Sequence, residues 1–238
     1  MNQINIQKIA EDIYEKFKPI SVFLYGSRAR DDFKDDSDFE VGVIQNKKGD
    51  ISRAELKEFV SNKKILIFPF VKSELENCTL DTPFQKEIYM YELIKTGKTL
   101  AGEKIIEKIK PPKIKTIDLI ERLGFDLGQA LAAVFASRQN DIVNSSMEFA
   151  KSCLFGTRVL EIFELKKFAF SFDEIFEISK GIDLEEYREV VDHAFLVRKN
   201  KAKPREEFLY KNIGYLNKHI KDKIILDYYK NGNKILIG

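Results

Sequence analysis

A short segment near the start of the chain has the residue types that phosphate binding needs. It contains Gly26 and Ser27, followed by Arg28 and Arg30. Glycine has no side chain, so backbone N–H groups at Gly26 can come close to a ligand, and the Ser27 hydroxyl adds a further donor. The two arginines add positive charge beside this turn. We therefore predict that these four residues surround phosphate oxygens.

Two acidic residues follow at a spacing that suits a metal ion. Asp38 and Glu40 alternate with the apolar residues Phe39, Val41 and Val43, and residues i and i+2 of a strand share one face. Neighbouring carboxylates repel each other unless a cation lies between them. Mg²⁺, or Mn²⁺ in its place, suits this role because it binds one or two carboxylates together with substrate phosphates. A phosphate-binding turn beside an acidic pair is what phosphoryl or nucleotidyl transfer requires.

The predicted secondary structure would hold these residues at the end of a sheet. The apolar run Ile20–Tyr25 reads as a buried strand that Gly26 ends, and the alternation from Asp38 onward reads as a second strand with one apolar and one acidic face. Pro69 predicts that a third strand either lies at an edge of the sheet or is bulged. The remaining predictions are helices at 6–17, 52–61 and 84–97 and the third strand at 65–71.

The second half of the chain has a different character. Lys110-Pro111-Pro112-Lys113 reads as a linker, and no convincing strand follows it. Helical patterns cover roughly 115–140, 145–166, 172–180, 183–199 and 205–230. The predicted fold class is therefore α+β, with a mixed β-sheet flanked by helices at 1–110 and an all-α helical bundle at 111–238.

The composition narrows the expected surroundings of the protein. Lys and Arg (40) nearly balance Asp and Glu (38), and a net charge of +2 gives no general attraction to nucleic acid, which is not an expected partner. Two cysteines and two histidines are few for a disulfide framework or a zinc site. The N-terminal residues lack the order of a signal peptide, and no apolar run approaches the ~20 residues of a membrane span. We expect a soluble, cytoplasmic protein.

The segment from 21 to 44 resembles the nucleotidyltransferase superfamily typified by DNA polymerase beta. The match consists of Gly26-Ser27 at a strand end and of Asp38-Phe39-Glu40 on the next strand. Gly-Ser-Arg-Ala-Arg looks like the small prokaryotic branch, which contains the minimal and the aminoglycoside nucleotidyltransferases, and the kanamycin type also has Glu at the second acidic position. The helical half loosely resembles the substrate-binding and HEPN domains that accompany such proteins.

The resemblance implies a reaction and roles for the matching residues. Gly26 and Ser27 would hold the phosphates of ATP or another nucleoside triphosphate, and Asp38 and Glu40 would hold Mg²⁺. A nucleoside monophosphate, with AMP expected, would pass to a hydroxyl of a small molecule or a protein, and pyrophosphate would leave. A protein partner or a homodimer is left open.

The chain departs from the family at the third carboxylate. Family members usually carry it on a later strand, but residues 65–71 contain no acid, and the nearest are Glu74 and Glu76. In the kanamycin type a glutamate from the first helix of the helical half serves as base, which makes Asp126 the first candidate here and Glu121 the second. The alternatives are that both are ordinary helix residues, or that the protein is a catalytically weakened nucleotide-binding module, regulatory or of the toxin–antitoxin type.

A weaker hypothesis concerns RNA cleavage. HEPN ribonucleases carry an arginine and a histidine at a spacing that Arg188 and His193 fit, and a basic run follows at 198–205. Positions i and i+5 are poorly aligned on a helix, so we favour a surface arginine and an unrelated histidine. We also expect His219 to be a solvated helix residue and the aspartates between Ser27 and Ser37 to be solvated.

Overall fold

The computed structural model describes residues 4–30, 33, 37–60 and 62–238. The chain divides into two compact units, Met1–Pro112 and Lys113–Gly238, which we call the sheet unit and the helical unit. In the described part of the chain, no helix is long and apolar enough to cross a membrane. The aspartates predicted to be solvated lie outside the described residues: Asp31, Asp32, Asp35 and Asp36.

The sheet unit alternates helices and strands, and a 3₁₀ turn near its end follows the last strand. Its elements are α1 (Ile6–Phe17), β1 (Ser21–Tyr25), α2 (Ser27–Arg30), β2 (Phe39–Gln45), α3 (Arg53–Phe59), β3 (Ile65–Val71), α4 (Lys72–Glu76), α5 (Lys86–Thr96), β4 (Lys98–Gly102) and the 3₁₀ turn Ile106–Lys108.

Four strands of the described residues form one mixed sheet in the order β3-β2-β1-β4. β1 runs antiparallel to both β2 and β4, whereas β2 and β3 are parallel. β3 lies at one edge of the sheet, which is one of the two arrangements that Pro69 predicted. A proline has no backbone N–H to donate to a neighbouring strand, and an edge strand tolerates this loss. The sequence did not predict β4, a five-residue strand with partly exposed side chains.

Apolar side chains cover both faces of this sheet. One buried cluster joins the sheet to α1 and α3, and a second joins it to α4 and α5. Gly42 allows the second cluster to close, because a Cβ there would lie 2.2 Å from the ring of Phe23. The predicted acidic face of β2 is therefore limited to its first residues: beyond Glu40 the strand is buried on both sides.

The helical unit is a set of packed helices with a small strand pair. Its elements are β5 (Ile114–Lys115), α6 (Thr116–Arg138), α7 (Ile142–Leu165), α8 (Phe172–Ser179), a 3₁₀ turn (Glu185–Tyr187), α9 (Arg188–Arg198), α10 (Glu206–Gly214), a π-helical segment (Tyr215–Lys221), α11 (Asp222–Asn231) and β6 (Ile235–Ile237).

The strand pair joins the two ends of the helical unit. β5 and β6 pair antiparallel, with Ile114 opposite Ile237, and the backbone N–H of Thr116 donates to the carbonyl of Lys234 at 3.0 Å. The sequence predicted no strand here, because two or three residues are too few to show a period of two. The predicted fold class is nevertheless confirmed: a mixed sheet flanked by helices is followed by a predominantly helical region.

Candidate active site

The turn at Gly26 brings the predicted phosphate-binding residues against an acidic side chain. Gly26 has φ +72, in the left-handed region that glycine tolerates, and a Cβ there would lie 1.7 Å from Oε2 of Glu40. Glu40 also stands directly opposite Tyr25 in the β1–β2 register. The Glu40 carboxylate therefore packs on the backbone of the turn, and Ser27 begins α2 immediately afterwards.

Asp38 precedes β2 by one residue and is exposed. The backbone N–H of Phe39 donates to the carbonyl of Lys64 at 2.8 Å, which extends the β2–β3 pairing to the residue beside Asp38. Glu40 is only partly exposed. The predicted acidic pair thus has one solvated member and one that is held at the turn.

Arg28 binds the backbone immediately before Asp38. Its Nε and one terminal nitrogen both donate to the carbonyl of Ser37, at 3.2 and 3.0 Å. The guanidinium also lies 3.9 Å from the ring centroid of Phe33 and 4.6 Å from that of Phe39. These contacts give Arg28 a structural task at the site, in addition to the phosphate binding predicted for it.

Arg30 is held by a residue that the sequence analysis did not single out. Its guanidinium lies 2.7 Å from the carboxylate of Glu92 on α5, and the two side chains are only 12% and 19% exposed. A glutamate among apolar neighbours on a predicted helix was a signal for a buried partner, but the sequence could not say which arginine it meets.

Tyr25 and Tyr89 place two hydroxyl groups beside Glu40. Burial raises the pKa of Tyr89 to about 12, with the charge of Glu40 acting in the same direction and a hydrogen bond with Tyr25 opposing it. Burial also raises the pKa of Tyr25, again with a contribution from Glu40. Both phenols therefore keep their protons at neutral pH and can donate hydrogen bonds in this region.

The donor set suits a hard divalent cation that the substrate helps to bind. Within the described ranges, no three histidine, cysteine, aspartate or glutamate side chains converge on one point. The residue of β3 opposite Glu40 is Leu66, so this neighbouring strand supplies no third carboxylate there. Two carboxylate residues leave coordination positions for phosphate oxygens and water, which is the way Mg²⁺ is usually bound beside nucleotides.

Asp126, the first candidate for a base, is fully buried in α6. Its Oδ1 accepts hydrogen bonds from Arg122 at 3.0 and 2.9 Å, and burial raises the pKa of Asp126 against the opposing effect of Arg122 and Arg158. A base must reach the acceptor hydroxyl, so these surroundings favour a structural role for Asp126. Glu121, the second candidate, is exposed.

The residues behind the RNA-cleavage hypothesis are occupied by structural contacts. Arg188 donates to the hydroxyl and the carbonyl of Ser179. His193 is buried, with its Nε2 3.0 Å from the carbonyl of Lys203, and burial lowers the pKa of His193. His219 was wrongly predicted to be solvated: its ring packs 5.0 Å from that of Tyr187. The geometry thus gives no support to a ribonuclease site.

A comparison with protein families identifies the domain that carries this turn. Residues 6–126, just over half of the chain, match the nucleotidyltransferase domain family. The chain belongs to this family, which confirms the predicted superfamily and the predicted enzyme class, a transferase of nucleotidyl groups.

One solved structure supports the fold over most of the chain. The spectinomycin adenyltransferase AAD(9) from Enterococcus faecialis, solved with ATP and spectinomycin, is similar with a TM-score of 0.59 and 15% sequence identity. The alignment covers 92% of this chain and 100% of that protein. At this identity the likeness concerns the fold. No curated protein matches the chain in sequence.

Proposed function

We propose that this protein transfers a nucleoside monophosphate, AMP being expected, from a nucleoside triphosphate to a hydroxyl group, with Mg²⁺ bound at Asp38 and Glu40. The observation that carries the proposal is the closeness of the Glu40 carboxylate to Gly26, which supports a metal site beside the Gly-Ser turn. The similar adenyltransferase was solved with ATP, which supports ATP as the first donor to test.

In the proposed reaction, the Ser27 hydroxyl and the backbone at Gly26 bind oxygens of the triphosphate. An acceptor oxygen forms a bond to the α-phosphorus, the bond from that phosphorus to the α,β-bridging oxygen breaks, and pyrophosphate leaves. The hydroxyl proton passes to water or to a carboxylate outside the acidic pair. Mg²⁺ would polarise the phosphoryl oxygens and offset the charge that develops on the leaving group.

The acceptor is proposed to be a small hydroxylated molecule, with an aminoglycoside or an aminocyclitol as the first class to test. The similar protein was solved with spectinomycin as well as ATP. We further propose that residues 113–238 form the substrate-binding domain and residues 1–112 the catalytic domain. A hydroxyl side chain of a partner protein is the other acceptor class that the family suggests.

The absence of an acid opposite Glu40 on β3 supports a second candidate function. A nucleotide-binding module with weak or no turnover would keep Gly26, Ser27, Asp38 and Glu40 and would not need a third carboxylate. Such a module binds nucleoside triphosphate in the presence of Mg²⁺ but releases no pyrophosphate.

One assay separates the two functions. Pyrophosphate release is measured with each of the four common ribonucleoside triphosphates and Mg²⁺ or Mn²⁺, with spectinomycin, aminoglycosides and cell lysate as acceptors. For the enzyme we expect acceptor-dependent release that falls at least about a thousandfold in Asp38→Ala/Glu40→Ala, because the metal loses its protein ligands. The double variant should melt close to wild type, because Asp38 is exposed and Glu40 is only partly buried at the end of a strand.

Each alternative result has a definite meaning. Saturable nucleotide binding without release, lost in the double variant, would identify the binding module. Release that persists in the double variant would place the reaction away from Asp38 and Glu40 and overturn the proposal.

A further inference from the structure

Glu92 is a charged residue that neither the family motif nor the proposed chemistry uses. It lies on α5 between the buried residues Met90, Leu93 and Ile94. A carboxylate in such surroundings is costly unless it is paired. Its partner is Arg30, at 2.7 Å, so the pair joins α5 to the short helix that carries Ser27.

The position of Arg30 ties this pair to the phosphate-binding turn. Ser27 and Arg30 are the first and last residues of α2, and residues three apart on a helical turn lie on the same side. Ala29 between them is buried in the core of the sheet unit, which fixes the other side of the turn. By this spacing the side chains of Ser27 and Arg30 leave α2 on the same side.

α5 makes a second contact with Tyr25, the residue that precedes the turn. Tyr89 lies three residues before Glu92, on the same side of α5, and its hydroxyl interacts with that of Tyr25 close to Glu40. One edge of α5 thus touches the arginine after Ser27 and the tyrosine that precedes Gly26. Along the sequence, Gly26 and Ser27 lie between the two residues that α5 contacts.

We propose that Glu92 is a positioning residue of the nucleotide site: its ion pair holds the guanidinium of Arg30 beside Ser27 for contact with the anionic triphosphate. This inference rests on the proposed function. A guanidinium has five N–H donors in a fixed plane, so a carboxylate that binds one edge orients the others. The donor would then lose affinity when Glu92 is changed, even though Glu92 does not touch it.

The experiment measures Mg²⁺–ATP affinity of the full chain by calorimetry, together with the melting temperature and, where turnover occurs, KM and kcat. In Glu92→Gln we expect affinity to fall about tenfold, with KM raised and kcat little changed, because a ground-state contact is lost. Glu58→Gln, an exposed glutamate of α3, is the control and should match wild type. Glu92→Asp keeps the charge and covers the case in which Glu92→Gln fails to fold; its affinity should fall about threefold.

A charge swap distinguishes positioning of the Arg30 guanidinium from an ion pair that only holds α2 and α5 together. Arg30→Glu/Glu92→Arg restores the ion pair, so the melting temperature should return toward that of wild type, but affinity for ATP should stay low because a carboxylate replaces the guanidinium beside Ser27. Full recovery of ATP affinity in the swap would show that the ion pair only joins the two helices, and it would overturn the inference.

The remaining outcomes separate this inference from the proposed function. Wild-type affinity in both Glu92→Gln and Glu92→Asp, with binding lost in Asp38→Ala, overturns the role of Glu92 alone. A wild-type protein that binds none of the four nucleoside triphosphates overturns the proposed function and this inference with it.

Discussion

Two acidic residues of the sheet unit, Asp38 and Glu40, and two of the helical unit, Asp126 and Glu161, have opposite surroundings, although all four occur in largely apolar stretches of sequence. Asp38 is exposed and Glu40 partly so, at the end of a strand. Asp126 and Glu161 have no exposed surface: Asp126 lies near the middle of α6, and Glu161 lies toward the end of α7. Both carboxylate oxygens of Glu161 lack a hydrogen-bond partner among the described residues.

This difference in burial indicates which of these carboxylates substrate and metal can reach. A strand end opens onto a turn, so the backbone can hold a carboxylate while substrate and metal reach it. The interior of a helix packed on other helices encloses a carboxylate on all sides, and its charge must be paired or neutralised. Three substitutions test whether the buried acids stabilise the fold and whether the acid at the strand end serves the site.

The largest expected effect on stability comes from Asp126. In Asp126→Ala we expect the free energy of unfolding to fall by about 3 kcal/mol, because the buried Arg122 loses its carboxylate. Urea denaturation measures this loss, and kcat of the folded protein should stay near that of wild type. Arg122→Met/Asp126→Leu, which removes both charges, should recover much of the stability. A stable Asp126→Asn protein with kcat abolished would instead return Asp126 to the role of base.

Gly26→Ala should damage the site more than the fold. A Cβ at Gly26 overlaps Oε2 of Glu40, so the carboxylate must move, and we expect turnover or Mg²⁺–ATP affinity to fall about a hundredfold. Gly49→Ala is a matched control: Gly49 has φ +94 but nothing within 4 Å of the added Cβ. The control should lose only about 1 kcal/mol of stability and keep its activity. Equal activity in the two variants would mean that Glu40 need not lie against the turn.

The smallest effect is a change in the pH dependence of stability caused by Glu161. Burial raises the pKa of Glu161 to about 9, from the usual 4.5. The folded state therefore holds a proton that the unfolded state has lost between these values, so this contribution to stability is complete below pH 4.5 and falls as the pH rises to about 9.

Glu161→Met removes the titrating group and replaces it with an apolar side chain of similar length. We expect this variant to gain about 1–3 kcal/mol over wild type at pH 8 and much less at pH 5. Denaturation at both pH values measures the difference, with Glu177→Met, whose parent side chain is 65% exposed, as the control. A gain that is the same at both pH values would show that Glu161 does not titrate in this range.

Much of the fold could be predicted because its long elements have clear periods. The helices from Ile6, Thr116 and Ile142 and the strands at Ser21, Phe39 and Ile65 all appear close to the predicted positions. The missed elements are short, and the strands among them are β4, β5 and β6. Their pairing depends on distant partners, and nothing in two to five residues records which partner that is.

The candidate site was predictable in its motif but not in its supports. Gly-Ser and Asp-x-Glu are local patterns, and Gly26 meets Glu40 because it follows Tyr25, the residue that the β1–β2 pairing sets opposite Glu40. Glu92 reaches Arg30 across 62 residues of sequence, a contact that only the packing of α5 decides. Asp126 shows the reverse case: the family resemblance made it a candidate base, whereas its burial beside Arg122 favours a structural role.

The pairing of β5 with β6 brings the two ends of the helical unit next to each other. Its chain enters and leaves through neighbouring strands, since Ile114 lies opposite Ile237. A segment whose two ends meet can be spliced into a surface loop of a host protein without stretching the host. We therefore expect residues 113–238 to tolerate insertion into a surface loop of a host protein, and a circularly permuted form with new termini between α6 and α7 to fold once residues 113 and 238 are joined.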